Sequence, residues 1–222
     1  MKPSSSILNI AAVLMASAPL LYLAIVWNSI PAIIPIHYDI HMKPNRMAGK
    51  SELWIPTLIL AGVSLLVFVL MRSINKIDPK RIGKETPASF KRLGLVIVVL
   101  LSLLNLQLVM FCASVGRLPF ILLVPVMALL FAAIGNYLPA LKPNYFAGIR
   151  LPWTLNSETN WRKTHQLAGK IWFWGGLLTA VVSLFLPLSA GIPVLLAMTV
   201  VLVIVPCVYS YRLFKKERTP QP

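Results

Sequence analysis

Residues 135–176 read GNYLPALKPNYFAGIRLPWTLNSETNWRKTHQLAGKIWFWGG, and this polar, aromatic stretch lies between two long apolar runs. It holds five of the 21 Lys and Arg residues and His165, which is the only histidine in the second half of the chain. Segments this apolar on both sides are typical of helices in lipid. The stretch is therefore predicted to form a functional loop at one face of a membrane.

The composition of the whole chain supports a membrane location. Hydrophobic residues make up 58% of the 222 residues, only 12% are charged, and the mean hydropathy is +0.78. A soluble domain of this length could not bury so much apolar surface. The net charge of +15 is confined to the gaps between apolar runs, which argues against direct nucleic-acid binding.

Six apolar runs are long enough, at roughly 20 residues, to cross a bilayer. They are Ile7–Trp27, Trp54–Met71, Leu93–Cys112, Phe120–Leu141, Leu167–Leu186 and Gly191–Tyr211. They contain no Asp, Glu or Arg, and Lys170 is their only lysine. We predict an all-α integral membrane protein with six transmembrane helices.

The distribution of basic residues predicts the orientation. With the N-terminus inside, 17 of the 21 Lys and Arg residues lie on the cytoplasmic side and four lie outside. Cytoplasmic loops are enriched in Lys and Arg, so both termini are predicted to be inside. The divisions are residues 1–71, a basic and solvated cytoplasmic connector at 72–92, residues 93–211 with the inner loop at 142–166, and a basic tail at 212–222.

The first outer loop carries Pro35, His37, Asp39 and His41. In an extended backbone the last three would point to one side, where they could bind a metal such as zinc. The alternative is that His37 and Asp39 make ordinary hydrogen bonds that fold the loop onto the helix ends. Because no Cys or Glu completes a ligand set, we predict the second arrangement and no metal or other cofactor.

A few polar or reactive residues interrupt the predicted spans. Asn105, Gln107 and Asn136 are expected to hydrogen-bond across helices. Cys112 lies at the outer end of the third span and Cys207 lies toward the inner end of the sixth. They are too far apart for a disulfide, so both are predicted to be packing residues.

The inner loop is predicted to end in a helix that continues into the fifth span. Thr154 or Ser157 is a suitable N-cap, and Glu158 would complement the helix dipole. On that helix one face would carry Trp161, His165, Ala168 and Trp172, with Lys163 and Lys170 on the opposite side.

The two long loops also share a short sequence echo. Residues 43–49 read KPNRMAG and residues 142–148 read KPNYFAG, which agree at five of seven positions. Each segment follows the first helix of a predicted three-helix half, and the loops lie on opposite faces. This pattern predicts a 3+3 inverted repeat, although chance similarity of short loops is the alternative.

Longer motifs resemble known families. The segment KPNYFAGIRLPWTLNSETNWRKTHQLAGKIWFWGG resembles the hallmark of the SdpI family of bacterial membrane proteins, and IPIHYDIHMKPNR resembles the domain DUF1648. The resemblance implies a multi-pass protein of the bacterial inner membrane that gives immunity to a secreted peptide toxin. Through the type member of the family, it also implies sequestration of a cytoplasmic transcriptional repressor, so the expected partners are lipids, a toxin and a repressor.

The inner loop is the predicted partner-binding surface. Arg150 and Arg162 can each present a fork of donors, and Trp153 and Trp161 could act as apolar anchors. The complete predicted set is Asn144, Tyr145, Gly148, Arg150, Pro152, Trp153, Thr154, Trp161, Arg162, Lys163 and His165. Anchoring to lipid headgroups could use the same residues.

Two other functions compete with immunity. A coupled transporter usually places ionisable groups at mid-membrane, and the predicted spans lack them, although a facilitator would not need them. A metal-dependent membrane enzyme would have to use His37, Asp39 and His41, but no nucleophile accompanies them. The sequence therefore predicts a protein that is not an enzyme.

Overall fold

The structure is a computed structural model, and it describes residues 5–39, 43–82, 88–114 and 122–218. Its helices in chain order are α1 (Ser5–Val26), α2 (Trp54–Arg72), α3 (Ile74–Ile77), α4 (Pro79–Ile82), α5 (Ala88–Ala113), α6 (Leu123–Tyr137), α7 (Pro152–Asn156), α8 (Glu158–Ser183) and α9 (Leu188–Arg218). Two strands, β1 (Ile33–Tyr38) and β2 (Pro44–Gly49), lie between α1 and α2. Short 3₁₀ turns at Trp27–Ser29, Lys50–Leu53 and Leu138–Ala140 extend α1, α2 and α6.

Five helical segments of the described chain are long and apolar enough to cross a membrane. They are Ser6–Ser29, Lys50–Arg72, Ala88–Ala113, Leu123–Ala140 and Leu188–Arg218. The prediction of an all-α membrane protein is confirmed. Most of the fifth predicted span lies in α8, whose first half is polar and which ends at Ser183. The count of six spans and their orientation stay predictions.

Helices α6 and α8 approach each other closely along their small residues. A Cβ atom added to Gly176 would lie 2.6 Å from the carbonyl oxygen of Ala128, and one at Gly135 would lie 2.6 Å from the Cβ of Trp172. Small residues allow helix backbones to approach in this way in membranes. Helix α8 packs also on α9, while α5 packs on α1, α2 and α6.

The loop between α1 and α2 folds as a β-hairpin, of which the sequence predicted only an extended backbone. Strands β1 and β2 pair antiparallel, with irregular register around His37. Ile34 is buried and joins Leu23, Leu53 and Cys112 in one apolar cluster. The hairpin is therefore anchored to the ends of α1, α2 and α5.

The basic connector is more structured than predicted. Its short helices α3 and α4 bury Ile74 and Ile82 in a cluster with Phe90 of α5. The same cluster contains Leu141 and Trp161, which come from the second half of the chain. The prediction of a solvated connector is wrong for these residues, because apolar side chains alternate with its charges and pack under the inner loop.

The polar interruptions of the spans have different roles. Asn105 is buried and donates a hydrogen bond from Nδ2 to the carbonyl oxygen of Thr57 on α2, at 2.9 Å, as predicted. The Oε1 atom of Gln107 is buried without a hydrogen-bond partner, and Asn136 is exposed. Cys112 and Cys207 are both free thiols, which agrees with their prediction as packing residues.

The echoed segments do not share a backbone structure. Residues 44–49 form strand β2, and Gly49 has a φ of −66°. Residues 142–148 form an irregular turn that ends at Gly148, which has a φ of 106°. The inverted repeat stays a prediction, and five shared residues are too few to impose one conformation in different surroundings.

Candidate functional site

The inner loop is organised around the side chain of Asn144, which is fully buried. Its Oδ1 accepts hydrogen bonds from the backbone nitrogens of Phe146 at 2.8 Å and Ala147 at 2.7 Å. Its Nδ2 donates to the carbonyl oxygen of Lys142 at 2.7 Å. Asn side chains commonly bind the backbone two or three residues ahead in this way, which fixes a tight turn.

Gly148 brings the loop back onto α8. Its positive φ suits glycine, and a Cβ atom there would collide with Nε2 of His165. The next residue, Ile149, donates its backbone N–H to that Nε2 at 2.9 Å. A side chain at position 148 would therefore separate the loop from the helix.

His165 is held as a neutral ring. Because Nε2 accepts a hydrogen bond, the proton is on Nδ1, which donates to the carbonyl oxygen of Trp161 at 2.8 Å. Burial lowers the pKa of His165 to about 4, against a smaller opposing effect of the bond to Trp161. The two rings stack with centroids 4.0 Å apart.

Trp161 and Thr154 close the loop at its other points. Trp161 is 2% exposed, and its Nε1 donates to the carbonyl oxygen of Leu141 at 2.8 Å. The hydroxyl of Thr154 donates to the carbonyl oxygen of Ile149 at 2.8 Å and accepts from the backbone nitrogen of Leu151 at 2.9 Å. Both side chains are buried and form their hydrogen bonds within the protein.

Helix α8 begins at a cap and joins α9 through polar contacts. The Ser157 hydroxyl accepts from the backbone nitrogen of Asn160 at 3.1 Å, which confirms Ser157 as the N-cap. Asn160 is buried and donates from Nδ2 to the carbonyl oxygen of Ser210 at 3.0 Å. Trp153 donates from Nε1 to the Ser210 hydroxyl at 3.0 Å. Sequence reasoning missed Asn160 and Ser210, although Asn160 and Thr164 lie four residues apart on one helix face and are hydrogen-bonded to each other.

The eleven predicted partner-binding residues fall into three groups by exposure. Those that are buried are Asn144, Thr154, Trp161 and His165. Gly148 and Trp153 are partly buried, and the exposed residues are Tyr145, Arg150, Pro152, Arg162 and Lys163. Trp161 cannot be the surface anchor that the sequence suggested, because its indole is enclosed by the loop. The five exposed residues and the accessible part of Trp153 remain available to a partner.

In the loop between α1 and α2, His37 and Asp39 make hydrogen bonds within the hairpin. The Nδ1 atom of His37 lies 2.6 Å from Oδ1 of Asn45, and Oδ1 of Asp39 accepts from the backbone nitrogen of Lys43 at 2.8 Å. His41 is outside the described residues. Within the described part of the chain, no three His, Cys, Asp or Glu side chains are grouped as metal ligands.

The hairpin covers one side of an apolar cavity of about 510 Å³. Pro35, His37 and Asp39 line it from the hairpin, and Glu52 lines it from the turn before α2. The remaining wall is apolar and comes from α2, α5, α6 and α9, including Ile55, Leu108, Leu123 and Ile192. Pockets of this volume are typical of ligand sites. The cavity could not be predicted from one segment because distant parts of the chain build it.

The fold and these two sites define a multi-pass, all-α protein of the cell membrane. A loop held by internal hydrogen bonds lies at one end, and a hairpin-covered cavity lies at the other. Residues 140–210 match the model of the SdpI/YfhL protein family, and residues 14–61 match the domain of unknown function DUF1648. The resemblance drawn from the two motifs is thereby confirmed.

One relative matches this sequence over nearly its whole length. The sequence is 24% identical over 210 residues to the "Immunity protein SdpI" of Bacillus subtilis (strain 168), which is 94% of this chain and 96% of the relative. No solved structure gives a significant match.

Proposed function

We propose that this chain is a membrane immunity protein, which protects its cell from a secreted peptide toxin and acts by binding rather than by catalysis. The similarity to an immunity protein extends over both the hairpin and the inner loop, which supports a common role for the whole chain. As a finer part of the proposal, the inner loop also holds a cytoplasmic repressor at the membrane.

The observation that carries this proposal is that buried polar side chains in residues 140–210 form hydrogen bonds within the protein. The side chains of Asn144, Thr154, Trp161 and His165 all make hydrogen bonds to the protein's own backbone. An enzyme needs an acid, base or nucleophile that can reach a substrate. Hydrogen bonds of this kind instead hold the loop rigid. A rigid surface favours recognition, because it loses little conformational entropy on binding.

The exposed residues on that frame suit an acidic or carbonyl-rich partner surface. Arg150 is exposed, and its guanidinium also donates to the carbonyl oxygen of Tyr145. Arg162 and Lys163 are exposed in the first turns of α8. Guanidinium groups form directional paired bonds with carboxylates, which gives such a surface specificity.

Deletion of the gene in its native host tests the immunity function. We expect the deletion strain to lose viability in culture supernatant of its parent, and to regain it when the wild-type chain is expressed. A supernatant that kills a related sensitive strain but leaves the deletion strain unharmed would show that the chain does not confer immunity.

Substitutions in the inner loop test its part in the function. Arg150→Ala and Arg162→Ala should leave the abundance of the protein in membranes unchanged but reduce protection or repressor retention. Lys170→Ala, an exposed lysine further along α8, is the control and should have no effect. If both arginine variants protect the cell and retain a neighbouring repressor as the wild type does, the loop only supports the fold.

A further inference from the structure

We propose that the cavity beneath the hairpin binds apolar side chains of a cationic peptide, with Asp39 and Glu52 facing its positive charge. This inference rests on the proposed function, since it assigns a binding site and a chemical class to the peptide toxin. It places toxin contact at the end of the molecule opposite the inner loop.

The charge of the cavity is opposite to that of the chain. The chain has six acidic residues against 21 basic ones, yet the described lining contains two carboxylates and neither Lys nor Arg. Asp39 and Glu52 are also the only acidic residues in the loop predicted to face outward. Carboxylates beside apolar walls attract a cation, because the low-dielectric surface screens their charge less than bulk water does.

The nearest lysine to Glu52 in the sequence is directed elsewhere. The Nζ atom of Lys50 donates to the carbonyl oxygen of Trp27 at 2.8 Å and to that of Ile30 at 3.3 Å. The same ammonium lies 4.7 Å from the centroid of the Trp27 ring. Its bonds hold the 3₁₀ turn after α1, so it does not line the cavity with Glu52.

The walls supply the apolar half of the site. Ile34, Leu53, Leu108, Phe111, Leu123 and Ile192 line the cavity, and about 510 Å³ can take more than one large side chain. The hairpin contributes Tyr38, and burial raises the pKa of its hydroxyl, so that group stays protonated. An amphipathic peptide can place apolar side chains such as Leu against these walls and cationic side chains such as Lys near the two carboxylates.

Binding of synthetic peptides to the full chain in phosphatidylcholine nanodiscs tests the proposal. The probes are a fluorescent peptide of Leu and Lys and its counterpart with Gln in place of Lys, each corrected for binding to empty nanodiscs. The wild type should bind the Lys peptide about tenfold more tightly than the Gln peptide, and the difference should shrink as salt is raised.

Two pairs of variants separate charge from general damage. Asp39→Asn with Glu52→Gln should remove most of the preference for the Lys peptide, and Asn keeps an oxygen for the bond from Lys43. Glu158→Gln changes an exposed acid on α8 and should have no effect. Ile55→Trp narrows the cavity and should weaken binding of both peptides. Ile59→Trp is the matched control, since Ile59 is similarly exposed on α2 but lies outside the cavity, and it should leave binding of both peptides unchanged.

The outcomes separate this inference from the proposed function. If the wild type and the doubly substituted chain bind both peptides alike, the cavity accepts apolar matter such as lipid without regard to charge, and the inference is wrong. If the doubly substituted chain protects a deletion strain as fully as the wild type does, the chain confers immunity without using this site, and the inference is again wrong. If the Lys peptide binds as expected while the wild type gives no protection, the site stands and the immunity function fails.

Discussion

The backbone N–H of Ile149 donates a hydrogen bond to Nε2 of His165 across 16 residues of sequence, at 2.9 Å. This bond requires that Nε2 carry no proton, so it exists only with the neutral ring. It joins the end of the irregular loop to the first half of α8. The attachment of the loop to the helix therefore depends on the protonation state of one side chain.

Acidification should weaken the fold through His165. The ring has a pKa of about 4 in the folded chain, below its ordinary value of 6.5, so between these values the unfolded chain binds more protons. The contribution of His165 is complete above about pH 6.5 and is lost as the pH falls toward 4, by about 3 kcal/mol in all.

Thermal unfolding of the detergent-solubilised protein between pH 4 and pH 7.5 measures this effect. His165→Gln is the control, because a glutamine does not titrate and should lack this part of the pH dependence. If the wild type and His165→Gln lose stability in parallel, other groups cause the loss and the assignment to His165 is wrong.

Gly148→Ala should destabilise the protein by at least about 2 kcal/mol, since it combines an unfavourable positive φ with a collision at the His165 ring. Gly62→Ala is the matched control, because a Cβ atom there meets nothing within 4 Å and Gly62 lies inside α2. That change should stabilise the helix by roughly 0.5–1 kcal/mol. Equal unfolding temperatures for the two variants would contradict the close contact.

Gly176→Ala should destabilise the α6–α8 contact by about 1–3 kcal/mol, because the new methyl group meets the backbone of Ala128 and Ala132. The neighbouring change Gly175→Ala provides the comparison. Its methyl group would meet Sδ of Met198 at 2.9 Å, and a methionine side chain can move aside. Unfolding temperatures of both variants test this difference, and a larger loss for Gly175→Ala would disprove the proposed packing.

The orientation in the membrane is open to a direct test. Reporter fusions at Pro79 and Asn156 should report a cytoplasmic location, because 17 of the 21 basic residues are predicted to be inside. Fusions at His41 and Gly116, which are outside the described residues, should report the exterior. A reversed result at either long loop would invalidate the six-span topology and the assignment of the cavity to the outer face.

The sequence was sufficient for the long helices and for one face of α8. Apolar runs predicted where the long helices lie, because lipid requires long uninterrupted apolar stretches. The bounds were less accurate, since α8 begins at Glu158 and α9 ends at Arg218, beyond the apolar runs. The helical spacing of Trp161, His165, Ala168 and Trp172 correctly predicted a shared face, since that spacing depends only on local geometry. Ser157 was among the predicted caps for the same reason.

Spacing could not show which way that face points. The sequence suggested that Trp161 would be a surface anchor, but the connector and the inner loop enclose it. The burial of Ile74 and Ile82 likewise depends on contact with residues more than 50 positions away. Local patterns contain no information on such partners.

By itself, the sequence determined that the chain lies in a membrane, where its helices run and which family it resembles. These properties follow from composition, periodicity and contiguous motifs, each of which is local. The tertiary structure alone decided that Asn144 and His165 hold the inner loop from within and that Asp39 and Glu52 share a cavity with α5 and α9. Such sites arise where distant segments meet, and their geometry depends on packing that no single segment encodes.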